Sequence, residues 1–191
     1  MKSMQILAVS GSLRAISKNT AVLEAARLLA PPRVEITLYS GLDALPHFNP
    51  DVDTTDGRGG PETVADWRKR VARADGLLIS SPEYAHGLPG TLKNALDWLV
   101  SNVDFPGKPV ALVGVSALSV HAPAQLAEIL RTMSARLVDE ASVTIPLLGP
   151  PVAAATIAAD PALADPLRAM LEAFASAIER GSQGRNPPRD A

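Results

Sequence analysis

The segment 5-QILAVSGSLRAISKN-19 sets the architecture of this chain. It joins an apolar run at 6–9, a loop that holds three serines and Gly11, and the start of a helical pattern at Asn19. A short strand that leads through a small-residue loop into a helix is the repeating unit of parallel sheets. We therefore expect this loop at the carboxyl end of the first strand, where α/β folds bind their ligands.

The same alternation of short apolar runs and helical patterns continues along the chain. Five runs predict β-strands, at 5–9, 34–39, 76–80, 109–115 and 137–144. Apolar residues at helical spacing predict helices at 19–30, 61–72, 91–100, 122–134 and 161–180. The alternation predicts an α/β fold, a doubly wound three-layer α/β/α sandwich on a five-stranded parallel sheet.

Length and composition indicate a single globular domain. The chain has 191 residues, of which 47% are apolar and 20% charged, so it can bury a core. We expect this domain to cover 1–180 and a disordered tail to cover 181–191. The first strand begins almost at once, and the uncharged stretches at 109–127 and 141–159 do not have the pattern of a membrane span. The expected location is therefore cytoplasmic, with no membrane partner.

Charge and cysteine content exclude further function classes. The 18 basic residues and 20 acidic residues leave a net charge of -2, so the chain as a whole has no excess of positive charge to bind nucleic acid. The count of 0 cysteines removes disulfides, iron–sulfur ligation and a cysteine nucleophile.

The loop after the first predicted strand has the composition of a phosphate site. Ser10, Ser12, Ser17 and Asn19 supply neutral donors, and Arg14 supplies a charge-assisted one. The loop also precedes a helix, whose N-terminal amides attract an anion. The alternative is that Ser17 or Asn19 only caps that helix. Because neither a Walker A loop nor a dinucleotide glycine pattern occurs, a monophosphate is the better match.

The loop after the third predicted strand, 81-SPEYAHGLPG-90, suits a planar ligand, because its prolines and glycines predict a fixed backbone with exposed amides. Glu83 and Tyr84 would also suit acid–base chemistry, although a loop carboxylate is more often bound to nearby amides. The histidines at 47, 86 and 121 share no metal-ligand spacing, so we predict no metal centre. Ser116 follows the fourth strand, but Leu118 replaces the glycine that a nucleophile elbow needs.

Three segments together resemble the NADPH-dependent FMN reductase family. They are 11-GSLRAISKN-19, 45-LPHFNPDVD-53 and 81-SPEYAHGLPGTLKNALDW-98. The resemblance is close over the first half of the chain and holds in outline over the rest. It implies the flavodoxin-like fold with strand order 2-1-3-4-5, in which FMN lies at the switch point between the first and third strands.

The resemblance also implies which residues bind the cofactor. It assigns the FMN phosphate to the first loop and the isoalloxazine to the second, with a third contact after the fourth strand. Many relatives have asparagine where this chain has Ala85, and a glycine-rich loop where it has 116-SALSVH-121. The predicted cofactor-binding residues are Ser10, Ser12, Leu13, Arg14, Ser17, Asn19, Pro82, Glu83, Tyr84, Ala85, Gly87 and Ser116.

The implied activity is that of an FMN-dependent oxidoreductase. Hydride would pass from NADPH or NADH through bound FMN to a small-molecule acceptor, which would be a flavin, a quinone, an azo compound or an oxidised metal ion. No catalytic side chain is expected, because N5 of the flavin carries the chemistry. Arg14 and Lys18 leave the choice between NADPH and NADH open. The family is typically dimeric or tetrameric, so we expect a homodimer or homotetramer, with Trp98 and its helix at an interface.

Other classes remain open on the same fold. A flavodoxin-like electron carrier would usually be markedly acidic, which the balance of 18 basic to 20 acidic residues does not match. An interaction module without a cofactor would fit the changes at Ala85 and in the 116–121 loop. A phosphate-binding hydrolase would need a base or a metal that the sequence does not present. Flavin binding separates the interaction module from the reductase and the carrier.

Overall fold

The structure, a computed structural model, describes residues 3–54 and 57–183. Its strands are β1 (Met4–Ser10), β2 (Val34–Tyr39), β3 (Gly76–Ser80), β4 (Pro109–Gly114), β5 (Arg136–Leu137) and β6 (Val143–Thr144). Its α-helices are α1 (Lys18–Leu28), α2 (Glu62–Arg73), α3 (Gly90–Asp97), α4 (His121–Thr132), α5 (Ala154–Ala159) and α6 (Pro161–Gln183). Short 3-10 helices lie at Leu42–Ala44, Pro50–Val52 and Asp139–Ala141.

The strands form a parallel sheet in the order β2-β1-β3-β4-β5, which confirms the predicted flavodoxin-like arrangement. The strand β1 lies between β2 and β3, and its last residue, Ser10, is the register partner of Ser80 at the end of β3. The chain therefore leaves β1 and β3 side by side, and the connections on either side of this point run in opposite directions. A crevice opens at such a switch point.

The predicted fifth strand is two short strands. Both β5 and β6 pair in parallel with β4, at its beginning and its end respectively. Between them the chain forms the 3-10 helix Asp139–Ala141, and the backbone N–H of Leu112 donates to the hydroxyl of Ser142 at 3.1 Å. The Ser142 hydroxyl thus supplies β4 with the hydrogen-bond acceptor that a backbone carbonyl would supply in a continuous strand.

Two apolar clusters cover the two faces of the sheet. Alternate residues of β1 divide between them, because neighbouring side chains in a strand point to opposite faces. Ile6 and Ala8 pack with α1, α5 and α6, whereas Leu7 and Val9 pack with α2, α3 and α4. This is the predicted three-layer arrangement. The helix α5 was absent from the prediction, since it has only six residues, yet its Ile157 is fully buried.

The aromatic residues Trp67, Trp98 and Phe105 lie in the core, each at most 1% exposed. Trp98 therefore cannot itself contact a second subunit, and the interface role expected for this side chain is wrong. The helix α6 extends to Gln183, beyond the predicted end at residue 180. The rest of the predicted tail, 184–191, lies outside the described residues. None of the helices in the described ranges is long and apolar enough to cross a membrane.

Candidate functional site

A cleft of about 590 Å³ opens at the carboxyl ends of β1, β3 and β4. Its walls come from the loops that follow these three strands, as the topology predicts. Among the predicted residues, those that line it are Ser12, Arg14, Ser17, Asn19, Pro82, Glu83, Tyr84 and Ser116. Four predicted residues are not in its lining, namely Ser10, Leu13, Ala85 and Gly87.

Gly11 allows the first and second loops to meet. Its backbone N–H donates to the carbonyl of Ser80 at 2.8 Å. A Cβ at this position would lie 2.8 Å from Oγ of Ser81 and 3.0 Å from Cδ2 of the buried Leu92. The absence of a side chain therefore lets the first loop pass close to the end of β3.

Backbone amides fix the positions of two serine hydroxyls in the cleft. Oγ of Ser12 accepts from the N–H of Arg14 at 3.3 Å, and Oγ of Ser17 accepts from the N–H of Thr20 at 3.4 Å. Ser17 is thus the N-cap of α1, the alternative that the sequence left open. Capping does not exclude ligand binding, because a hydroxyl that accepts one hydrogen bond still has its own proton to donate.

Ser10 and Asn19 hold the loop in shape. Oγ of Ser10 accepts from Oγ1 of Thr20 at 2.9 Å and from the N–H of Ser12 at 3.3 Å. Oδ1 of Asn19, which is 5% exposed, accepts from Oγ of Ser80 at 2.9 Å. These bonds connect the start of α1 to the ends of β1 and β3. Thr20 is not among the predicted residues, because a threonine in a first helical turn carries no specific signal.

The two cations of the first loop have different surroundings. Nζ of Lys18 donates to the carbonyls of Leu147 at 2.7 Å and Gly149 at 2.6 Å. This lysine therefore holds the segment after β6 against the first loop. Arg14 is exposed, and no carboxylate in the described ranges pairs with its guanidinium. Arg14 is thus available to bind an anion in the cleft.

The N-terminus of α1 adds backbone donors next to Arg14. The first helical amides with a partner are those of Thr20 and Ala21, which donate to Oγ and the carbonyl of Ser17. Within the described part of the chain, the amides of Lys18 and Asn19 have no acceptor. Free amides at a helix N-terminus, together with the helix dipole, attract an anion.

A tight turn shapes the second loop. Tyr84 and Gly87 exchange two backbone hydrogen bonds, each of 3.0 Å, and the two residues between them have positive φ, 50° at Ala85 and 59° at His86. These are the features of a type I′ turn. The turn carries Ala85 and Gly87 beyond the cleft, whereas Pro82, Glu83 and Tyr84 remain in its wall.

Glu83 is tied to the start of α4. One of its carboxylate oxygens, Oε2, accepts from the N–H groups of His121 and Ala122, both at 2.9 Å. The hydrogen bond from the N–H of Ala122 lowers the pKa of Glu83, and the bond from His121 and the nearby imidazoles lower it further. Together they outweigh desolvation, which raises the pKa. The carboxylate is therefore ionised at neutral pH. This arrangement favours the structural interpretation of Glu83 over acid–base chemistry.

Most residues of the far wall of the cleft are not among the predicted site residues. It contains β4 and the segments around β6 and after it, which reach the site only through the tertiary fold. In the predicted third loop, Oγ of Ser116 accepts from the N–H of Leu118 at 3.2 Å, which fixes the backbone there. Lining residues outside the prediction include Ser119, Pro123, Ser142, Thr144, Gly149 and Pro151.

The donor set fits a cofactor with a phosphate and a planar ring system. Hydroxyls, free amides and the Arg14 guanidinium gather at one end, next to α1. The remainder of the cleft has mixed walls that include Pro82 and Tyr84. A volume of about 590 Å³ lies within the range of cofactor pockets, roughly 300–1,000 Å³. The residues present therefore suit FMN.

Comparisons with known proteins point the same way. The family model described as NADPH-dependent FMN reductase matches residues 4–147. An NAD(P)H-dependent FMN reductase of Pseudomonas aeruginosa is 40% identical over 116 residues, which is 60% of each chain. A quinone reductase of Escherichia coli is 36% identical over 121 residues, 62% of this chain and 63% of that one. The aligned regions thus span less than two thirds of these relatives.

Solved structures show the same fold over almost the whole chain. FerB from Paracoccus denitrificans, a flavoenzyme NAD(P)H:(acceptor) oxidoreductase, superposes with a TM-score of 0.73 at 27% identity, covering 93% of this chain and 98% of its own. A flavodoxin from the domain Archaea superposes with a TM-score of 0.58 at 18% identity, covering 92% of this chain and 99% of its own. At that identity the flavodoxin supports the fold alone.

Proposed function

The chain belongs to the NADPH-dependent FMN reductase family, and on that premise we propose that it is an FMN-dependent oxidoreductase. It would take hydride from NADPH or NADH and pass the electrons through bound FMN to a small-molecule acceptor. The two reactants would use the same cleft in turn. The observation that carries the proposal is the set of anion donors at the N-terminus of α1, whose Arg14 guanidinium and first two helical amides have no acceptor among the described residues.

These donors account for phosphate binding. Ser12 and Ser17 each have a hydroxyl proton to donate, and Arg14 adds a charge-assisted bond. The free amides of Lys18 and Asn19 point along the helix axis toward the same place. Since Lys18 donates to two carbonyls, its amide rather than its ammonium serves the phosphate.

The loops after β3 and β4 would contact the isoalloxazine ring of FMN. Pro82 to Tyr84 would lie along one edge of the isoalloxazine, and Ser116 would lie near another. When bound, FMN supplies the hydride acceptance and electron donation that no side chain of this cleft can perform. The chain would hold the ring in position. Ionised Glu83 holds the second loop to α4, so that the ring wall keeps its shape when ligands exchange.

The rim of the cleft suggests the class of acceptor. Ile16 and Tyr84 line the cleft and are 70% and 52% accessible. Leu118 and Val120, 89% and 60% accessible, lie in the loop that contributes Ser116 and Ser119 to the lining. Such a rim favours flat, largely apolar molecules, among which quinones are the class that several relatives are named for. The same rim would be covered in the homodimer or homotetramer that the family resemblance implies.

The test is an absorption spectrum of the purified protein after incubation with FMN and removal of free flavin, followed by anaerobic addition of NADPH or NADH. We expect retained flavin bands that bleach with the nicotinamide and return when a benzoquinone is added. Retained bands that do not bleach would contradict the reductase and favour an electron carrier. If titration detects no FMN binding, the proposal fails and an interaction module is the better description.

A further inference from the structure

Three side chains lie close enough together to bind a cation, one in the cleft wall and two outside its lining. Glu83, His86 and His121 each offer one ligand atom, and these atoms all lie within 4.8 Å of one another. We infer that they form a binding site for a first-row divalent cation such as Zn²⁺. Sequence spacing does not reveal this site, because 35 positions separate the two histidines.

The loop after β3 and the start of α4 together hold the three residues in place. The type I′ turn places His86 at its second central position, with a positive φ of 59°. His121 is the first residue of α4. Three hydrogen bonds fasten the loop to this helix. Oε2 of Glu83 accepts from the N–H groups of His121 and Ala122, and Oε1 of Gln125 accepts from the N–H of Leu88 at 2.8 Å. Most of the ordering that a cation would need is therefore already present.

The imidazoles are free to act as ligands. Their rings stack with centroids 4.2 Å apart and an interplanar angle of 21°. Both side chains are exposed. Within the described ranges, no ring nitrogen of either imidazole has a hydrogen-bond partner. Two imidazoles and a carboxylate form a donor set that suits Zn²⁺, Cu²⁺ and Ni²⁺ and leaves further positions for water.

Glu83 supplies the charge that offsets the cation. Its Oε2 accepts the two amides of α4, which leaves Oε1 for coordination. Bonds of ~2.0–2.2 Å to Zn²⁺ would bring the ligand atoms to roughly 3.5 Å from each other. The ligand atoms now lie within 4.8 Å of one another, and rotation of the two exposed histidine side chains would shorten these distances. The bound cation would join the second loop to α4 directly beside Tyr84.

Calorimetric titration of ZnCl₂ into the 191-residue chain, prepared without a histidine tag and without flavin, tests the inference. We expect one Zn²⁺ per chain, and an association constant reduced at least about tenfold in His86→Asn and in His121→Asn. Asparagine tolerates positive φ, so His86→Asn keeps the turn. His47→Asn removes the remaining histidine, which lies outside the cluster, and should bind Zn²⁺ as the parent does.

A second measurement identifies the ligands directly. Cu²⁺ added at one equivalent should give an electron paramagnetic resonance spectrum with splitting from two nitrogens, lost in the same two variants. The inference is overturned if no Zn²⁺ binds, if His86→Asn and His121→Asn bind it unchanged, or if the Cu²⁺ spectrum shows oxygen ligands only. Because the titration uses flavin-free protein, its result does not depend on the reductase proposal.

Discussion

Arg68 and Asp53 form a nearly buried ion pair, with Nη1 2.7 Å from Oδ1 and the arginine side chain only 1% exposed. The guanidinium also donates to the carbonyls of Trp98 and Gly59, at 2.8 Å and 2.7 Å. Ser101 joins the two partners, since its Oγ donates to Asp53 at 2.6 Å and accepts from Arg68 at 3.0 Å. The long segment between β2 and α2 is thereby fastened to the core.

Asp53→Asn should destabilise the protein strongly. It leaves the Arg68 charge buried without a carboxylate, and breaking such a pair costs about 3 kcal/mol or more. Urea unfolding at neutral pH measures the loss. As a matched control, Asp66→Asn breaks the exposed pair with Arg70, whose side chains are 49% and 47% accessible, and should cost less than about 1 kcal/mol. Equal losses in the two variants would refute a special role for Asp53.

The same pair should make stability depend on pH. Burial raises the pKa of Asp53, but hydrogen bonds from Arg68, Ser101 and the N–H of Thr54 outweigh it and leave the pKa below its ordinary value. The unfolded chain then takes up this proton at a higher pH than the folded chain does. The stabilisation is present above about pH 4 and is lost as pH falls through the lowered value. We expect the difference in unfolding free energy between the parent and Asp53→Asn to shrink over that range; a constant difference would contradict this.

The double variant Arg14→Ala, Ser17→Ala should bind FMN more weakly by about 2–4 kcal/mol, because each lost phosphate contact contributes ~1–2 kcal/mol. Fluorescence titration of FMN measures the change. Arg131→Ala removes the same charge in the last turn of α4, about 15 Å along the helix from His121 and outside the cleft lining, and should leave FMN affinity unchanged. Unaltered affinity in the double variant would mean that the phosphate lies elsewhere.

Gly11→Ala should lower both stability and FMN affinity. Its Cβ would meet Ser81 and the buried Leu92 at 3.0 Å or less, so the first loop must shift, at a cost of ~1–3 kcal/mol. Gly90→Ala is the matched control, because a Cβ there has nothing within 4 Å. Thermal unfolding compares the two. Tolerance of Gly11→Ala in both measurements would show that the loops can separate without loss.

Ala85→Asn should stabilise the turn. An alanine with φ of 50° costs roughly 1 kcal/mol, and asparagine adopts this region more readily. We expect a gain of about 0.5–1 kcal/mol in unfolding free energy. Ala72→Asn places the same residue in the last turns of α2, where its lower helix propensity should cost about 0.5 kcal/mol. A loss at both positions would indicate that the turn is not strained by Ala85.

Local pattern was sufficient for most of the secondary structure. The bounds of β2 and β3 coincide with their predictions, and the strand order follows from regular alternation and the family resemblance. Strands buried on both faces have continuous apolar runs, and such runs are visible in a single sequence. The fifth strand was harder, since its two parts hold two residues each and a side-chain hydroxyl completes the pairing.

The candidate site likewise has one part that the local sequence predicts and another that only the tertiary structure assembles. The sequence by itself determined the first loop, because a hydroxyl-rich turn before a helix presents its donors through contacts between near neighbours. Only the tertiary structure decided three contacts. Lys18 donates to the carbonyls of Leu147 and Gly149, Glu83 accepts from the first amides of α4, and His86 stacks on His121. These contacts join residues 35 to 131 positions apart, so packing of the layers, and no local propensity, brings them together.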